Sequence, residues 1–133
     1  MSKCISFIGF LFLSLYCLIA NSNAFDKEQL IQRCQILSEE LKELESDQNK
    51  VICRHKLSSA ANKIKAAKTR IVYENYKDAK HALTLSINDL RFAEDISCVF
   101  KGDITKARMD AKAIKHELSS SEIVEVNSHT TLY

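Results

Sequence analysis

The chemistry open to this 133-residue chain rests on five cysteines, four histidines and nineteen basic side chains. Cys4 and Cys17 fall inside an apolar leader, which leaves Cys34, Cys53 and Cys98, an odd set in an oxidising compartment. Cys53-Arg54-His55 sets a thiol beside a base, but a cysteine consumed by a disulfide has no thiolate to activate. His116-Glu117 lacks the second histidine four residues on that would place two zinc ligands on one helix face. Glu39, Glu40, Glu43, Glu45 and Asp47 crowd one segment, with no legible apolar enclosure to raise a carboxyl pKa for acid catalysis. They read as a solvated face. Lys56, Lys63, Arg70 and Lys77 recur every seven residues, with Lys65 and Lys68 nearby. That basic stripe suits an anionic ligand, or pairing with the acidic segment across a bundle. The expectation is a non-enzyme without catalytic residues, metal or cofactor.

Helices must position these residues. The chain has no proline, and its only glycines are Gly9 and Gly102, too few for phosphate-cradling loops, Rossmann turns or β-hairpins. A Leu/Ala/Lys/Glu-rich chain without proline favours helix instead, because these side chains lose little freedom there. Asp26 followed by Gln29 resembles a capping box, and Leu30, Cys34, Leu37, Leu41 and Leu44 then repeat at steps of four and three. Ser46 to Asn49 supplies a stop and the next cap. A second stripe runs Cys53, Leu57, Ala60, Ile64, Ala67, Ile71, and a third Ala79, Leu83, Ile87, Leu90, Ala93, with Tyr73 to Tyr76 as the turn between them. Lys101-Gly102-Asp103 suggests a left-handed Gly102 followed by an Asp103 cap. The fourth stripe is Ile104, Ala107, Ala111, Ile114, Leu118, and residues 127–133 should fray. Four amphipathic helices that each need a partner predict an all-α, antiparallel four-helix bundle.

The amino terminus carries a secretory pattern. Lys3 precedes an uncharged run from Ile5 to Ala20, and Ser22-Asn23-Ala24 offers small residues at a cleavage site. Residues 1–24 are expected to be a signal peptide and 25–133 the mature helical domain. Without Lys3 the mature chain has 18 basic against 17 acidic residues, a balance that argues against nucleic acid as a partner. No membrane association is expected after cleavage.

The cysteines test the bundle. The midpoint of 53 and 98 falls on Asn75-Tyr76, the turn already proposed, so a hairpin folded there brings Cys53 and Cys98 face to face at its open end. The midpoint of 34 and 53 falls inside the first leucine stripe. A Cys53–Cys98 staple is therefore expected, with Cys34 left over and available for a linked dimer.

Cys53, Tyr76-Lys77-Asp78-Ala79, Cys98-Val99-Phe100-Lys101-Gly102 and His116-Glu117-Leu118-Ser119-Ser120-Ser121 together resemble the plant invertase/pectin methylesterase inhibitor family. The resemblance covers roughly Cys53 to Val126, and the family's members are four-helix bundles. Leu90-Arg91-Phe92-Ala93-Glu94-Asp95 is similar to the Pro-Lys-Phe-Ala-Glu-Asp stretch that invertase inhibitors present to their target. The resemblance implies target-binding roles for Arg91 and Phe92. Tyr76, in its Tyr-Lys-Asp-Ala context, competes for the same aligned position. It further implies a secreted protein of the apoplast that blocks invertase or pectin methylesterase by occupying the cleft. Two departures stand out: the family's short N-terminal disulfide hairpin is missing, and the chain is shorter between Cys34 and Cys53. The alternative they leave is a secreted helical binding or signalling module whose target is not an enzyme.

Overall fold

Each apolar stripe becomes one helix. The computed structural model describes the backbone of residues 25–130 and the side chains of residues 25–121, with α1 at Lys27–Ser46, α2 at Val51–Val72, α3 at Tyr76–Asp95 and α4 at Lys101–Thr130. The expected signal peptide, residues 1–24, and the last three residues of the expected frayed tail lie outside the described residues. Residues 127–130 of that tail continue α4 as helix. Helices adjacent in sequence pack on one another and α4 closes back onto α1, giving the expected antiparallel four-helix bundle.

The core consists of the periodic positions. Leu30, Cys34, Leu37 and Leu41 of α1 are buried, as are all the named stripe residues of α2, α3 and α4; Leu44 packs partly buried at the edge. The middle of α2 is lined by Ala60 and Ala61, whose small side chains let both neighbours approach closely. Ser38 of α1 donates to the Ala61 carbonyl and Ser86 of α3 to the Ala60 carbonyl, each at 3.1 Å. These buried hydroxyls are satisfied by second lone pairs of helical carbonyls, so they cross the core without a desolvation penalty.

The helix ends agree with the sequence in one place and depart from it in three. Asp26 caps α1, its carboxylate accepting from the Gln29 amide at 3.1 Å. The α2 cap is Lys50, extended and without a side-chain bond, so the Ser46–Asn49 segment stops α1 but does not cap α2. Gly102 is neither left-handed nor a helix end but the second residue of α4, and Asp103 is its third residue and not its cap; no glycine among the described residues has positive φ. The left-handed positions are Glu74, Ser97 and Phe100, each at φ 59°. Glu74 and Ser97 close α2 and α3 in the same way. At the first, the Glu74 and Asn75 amides reach back to the Ile71 and Arg70 carbonyls; at the second, Ser97 and Cys98 reach Glu94 and Ala93. Both are Schellman closures built without glycine.

Cys53 and Cys98 are bridged, with Cα atoms 5.6 Å apart, at the end of the hairpin opposite Asn75. The staple joins the first turn of α2 to the residue just beyond α3. Closing a loop of this length removes about 4 kcal/mol of unfolded-chain entropy. Cys53→Ser/Cys98→Ser should therefore stay helical by circular dichroism but lose up to about 4 kcal/mol in urea denaturation. A loss below the error of the measurement would mean that the bridge leaves the unfolded ensemble unconstrained.

Candidate functional site

The α2–α3 hairpin presents a polar cluster at mid-length and an apolar cluster at its stapled end. Asp89, one turn before Phe92 on α3, accepts from Lys63 at 2.5 Å and from Ser59 at 2.8 Å, and lies 3.5 Å from Lys56. Lys56 also sits 4.6 Å from the centroid of the Phe92 ring. One ammonium thus meets a carboxylate and an aromatic face together, which holds the ring against α2. Burial pushes the Asp89 carboxyl up, but the hydrogen bonds from Lys63 and Ser59 and the charges of Lys63 and Lys56 outweigh it and hold the group below its ordinary value. The basic stripe therefore pairs with α3 at its upper half, and not with the acidic end of α1. In that acidic segment, Glu40 faces Lys106 of α4 and Glu45 faces Lys42 of its own helix.

A second carboxylate ties α3 to α4. Glu94 accepts from Arg108 Nε at 2.6 Å and from the Thr105 hydroxyl. Burial again raises the group and is outweighed, by the Thr105 and Arg108 hydrogen bonds and by the charges of Arg108 and Lys101. Residues 89 and 94 thus face different neighbours across α3.

Phe92 is 42% exposed and stands outside the core, two residues past buried Leu90 and one before buried Ala93. Arg91 is exposed as well, but on a different face of the helix, in the cleft between α3 and α4. The two residues expected to act together are about 100° apart around the axis and serve different faces. Tyr76 lies sixteen residues earlier, about 24 Å down α3. It is half-buried, with its ring edge-on to Phe25 at 5.6 Å. Tyr76 and Phe92 stand at opposite ends of the bundle and do not share one docking spot.

Other exposed apolar residues gather at the stapled end: Val51 and Ile52 open α2, and Val99 and Phe100 follow Cys98. Gln48 binds these loops together, its amide nitrogen donating to the Leu44 and Val99 carbonyls at 3.2 and 3.0 Å. Lys50 reaches the Ile96 carbonyl at 3.3 Å. Phe100 is 52% exposed and held at positive φ, a conformation costly for a bulky residue that persists only because its surroundings dictate it. In the sequence Val99 and Phe100 stand out only as part of a matching segment, and Val51 and Ile52 do not stand out at all. The available signal was their phase: both precede the buried position Cys53 and fall off its stripe.

Cys34 is free and fully buried in α1. Burial pushes its thiol up to about 11, against the smaller opposing charges of Arg33 and Lys68. A dimer linked through Cys34 requires this helix face to open first. Among the described residues no group of histidine, cysteine or carboxylate side chains is placed to hold a metal ion, and no helix is long and apolar enough to cross a membrane. The chain matches no family model, no curated protein and no solved structure.

Two outcomes follow from this geometry. Asp89 and Glu94 both have depressed folded-state values, so they stabilise the fold fully above the unfolded carboxylate range near pH 4 and lose that contribution as pH falls through the folded values. Urea midpoints should drop on acidification below about pH 4, and Asp89→Asn should lower stability at neutral pH while flattening that decline. An unchanged slope in the variant would assign the acid sensitivity elsewhere. A thiol reagent should find no reactive cysteine in native, oxidised chain 25–133 and one per chain in denaturant; rapid native labelling would contradict the burial of Cys34.

Proposed function

We propose that the chain is a secreted, non-catalytic protein that acts by occupancy, docking the α2–α3 face and the stapled end onto a protein partner. The observation that carries this is Phe92, an aromatic ring kept out of the core and braced by Lys56 on a covalently closed hairpin. Bracing an exposed ring lowers the ordering cost of binding, and large rigid aromatics supply much of the energy at protein interfaces. Ile52, Val99 and Phe100 extend the apolar surface at the same end.

The resemblance in Cys53 to Ser121 supplies the class of partner. It makes the target a cell-wall invertase or pectin methylesterase, blocked at its cleft, with Arg91 and Phe92 as contact residues in an apoplastic protein. The all-helical bundle and its Cys53–Cys98 staple are compatible with that scaffold. A second reading, a secreted binding or signalling module with a non-enzyme target, draws support from the N-terminal side. Cys34 is buried within α1 as an unpaired thiol, and the family's disulfide hairpin has no counterpart among the described residues.

Oxidised chain 25–133 should inhibit acid invertase or pectin methylesterase in proportion to dose, and Phe92→Ala should abolish inhibition while costing about 1 kcal/mol or less in stability. Full inhibition by the variant would remove Phe92 from the interface. Failure against both enzyme classes would leave the non-enzyme target.

A further inference from the structure

Three lysine or arginine side chains and an imidazole line the cleft between α3 and α4. Arg91 comes from one wall and Lys112, Lys115 and His116 from the other, around an open space of about 370 Å³ with no acidic residue in its lining among the described residues. None of the four takes part in an ion pair among the described residues, whereas Lys27, Arg33, Lys42, Lys56, Lys63, Lys106 and Arg108 all do. The cleft on the other side of α4 has the opposite character, lined by Glu40, Glu43, Asp47 and Asp103 with Lys106. Arg91, Lys112, Lys115 and His116 thus share one groove with no acidic side chain beside them among the described residues.

We infer that this groove is a binding site for a small multivalent oxyanion, a ligand carrying two or three phosphate, sulfate or carboxylate groups in a row. The lining runs from Thr84 to Arg91 on α3 and from Lys112 to Ser119 on α4, a rise of seven residue steps on each, so the groove is about 10 Å long. A single anionic group meets one end of it; a short chain of such groups meets Arg91 and the lysines together. Arg91 supplies a planar fork and the lysines mobile point charges, the combination suited to oxyanions. Buried Ile87 forms the floor and displaces water beneath the ligand. The site shares Arg91 with the enzyme-docking reading but not Phe92, which faces the other groove of α3.

Titration calorimetry on the oxidised chain 25–133 at low ionic strength, with inorganic sulfate, tripolyphosphate and a uronic-acid trimer as probes, tests the assignment. One of the two multivalent probes should bind at one per chain, roughly tenfold or more tighter than sulfate, and its identity names the ligand source. Arg91→Gln/Lys112→Gln/Lys115→Gln should weaken that binding by roughly tenfold or more. Lys65→Gln/Arg70→Gln/Lys77→Gln removes the same charge from exposed positions outside the groove and should retain it. Equal weakening in both triple variants would make the effect one of net charge, and multivalent probes no tighter than sulfate would refute the site. Melting curves for both variants separate lost binding from lost fold.

Discussion

One covalent bond sets the register of the molecule. The Cys53–Cys98 bridge fixes which residue of α2 faces which residue of α3, and the noncovalent contacts of that interface repeat the same alignment turn by turn. Lys56 meets Phe92, Ser59 and Lys63 meet Asp89, and the Ala60 carbonyl meets Ser86. A slip of one turn would strand the Asp89 carboxylate without its cations, which is expensive for a group with so little water around it. The bond and the polar contacts therefore support one packing arrangement and disfavour its neighbours.

That arrangement gives α3 three distinct sides. Its buried stripe faces the core, Phe92 and Asp89 face α2, and Arg91 and Glu94 face α4. The consecutive residues 91 and 92 diverge because a helix turns by about 100° per residue, so a short segment that looks like one motif in a linear sequence becomes two surfaces in space. The electrostatics follow the same division. Asp89 with Lys56 and Lys63 at the α2–α3 seam, and Glu94 with Arg108 between α3 and α4, are neutralised internally, whereas Arg91, Lys112 and Lys115 in the α3–α4 cleft have no ion-pair partner among the described residues. The first pattern is structural in effect. The second has no structural use visible in the described residues.

Much of this was legible in residue order. Steps of three and four located all four helices and nearly all of the core, missing Ala61 beside the α2 stripe, and the midpoint of Cys53 and Cys98, falling on the turn read at Tyr73 to Tyr76, located the staple. The helix ends were harder. Gly102 looked like the obligatory left-handed residue, yet Glu74, Ser97 and Phe100 take that conformation because a short connection between packed helices dictates it, whatever residue is present. The partner of the basic stripe was also misread: Asp89 lies alone among apolar and neutral residues of α3 and attracts less notice than five crowded carboxylates. For Phe92 the phase was readable, since the stripe through Leu90 and Ala93 excludes it, but a lysine holding the ring from another helix is a tertiary contact that no local pattern announces. The target of the exposed surface belongs to a second molecule and leaves no periodic trace.

The seclusion of Cys34 bears on how the chain acquires its single bridge. Cys34 and Cys53 precede Cys98 in the chain, so the two sulfurs nearest in sequence are not the two that are bridged. Docking of α1 on α2 withdraws one of them from exchange while the other waits for its partner. In the folded chain the leucine stripe of α1 keeps the Cys34 sulfur out of reach of the finished bridge, so packing of that stripe also guards the covalent pairing.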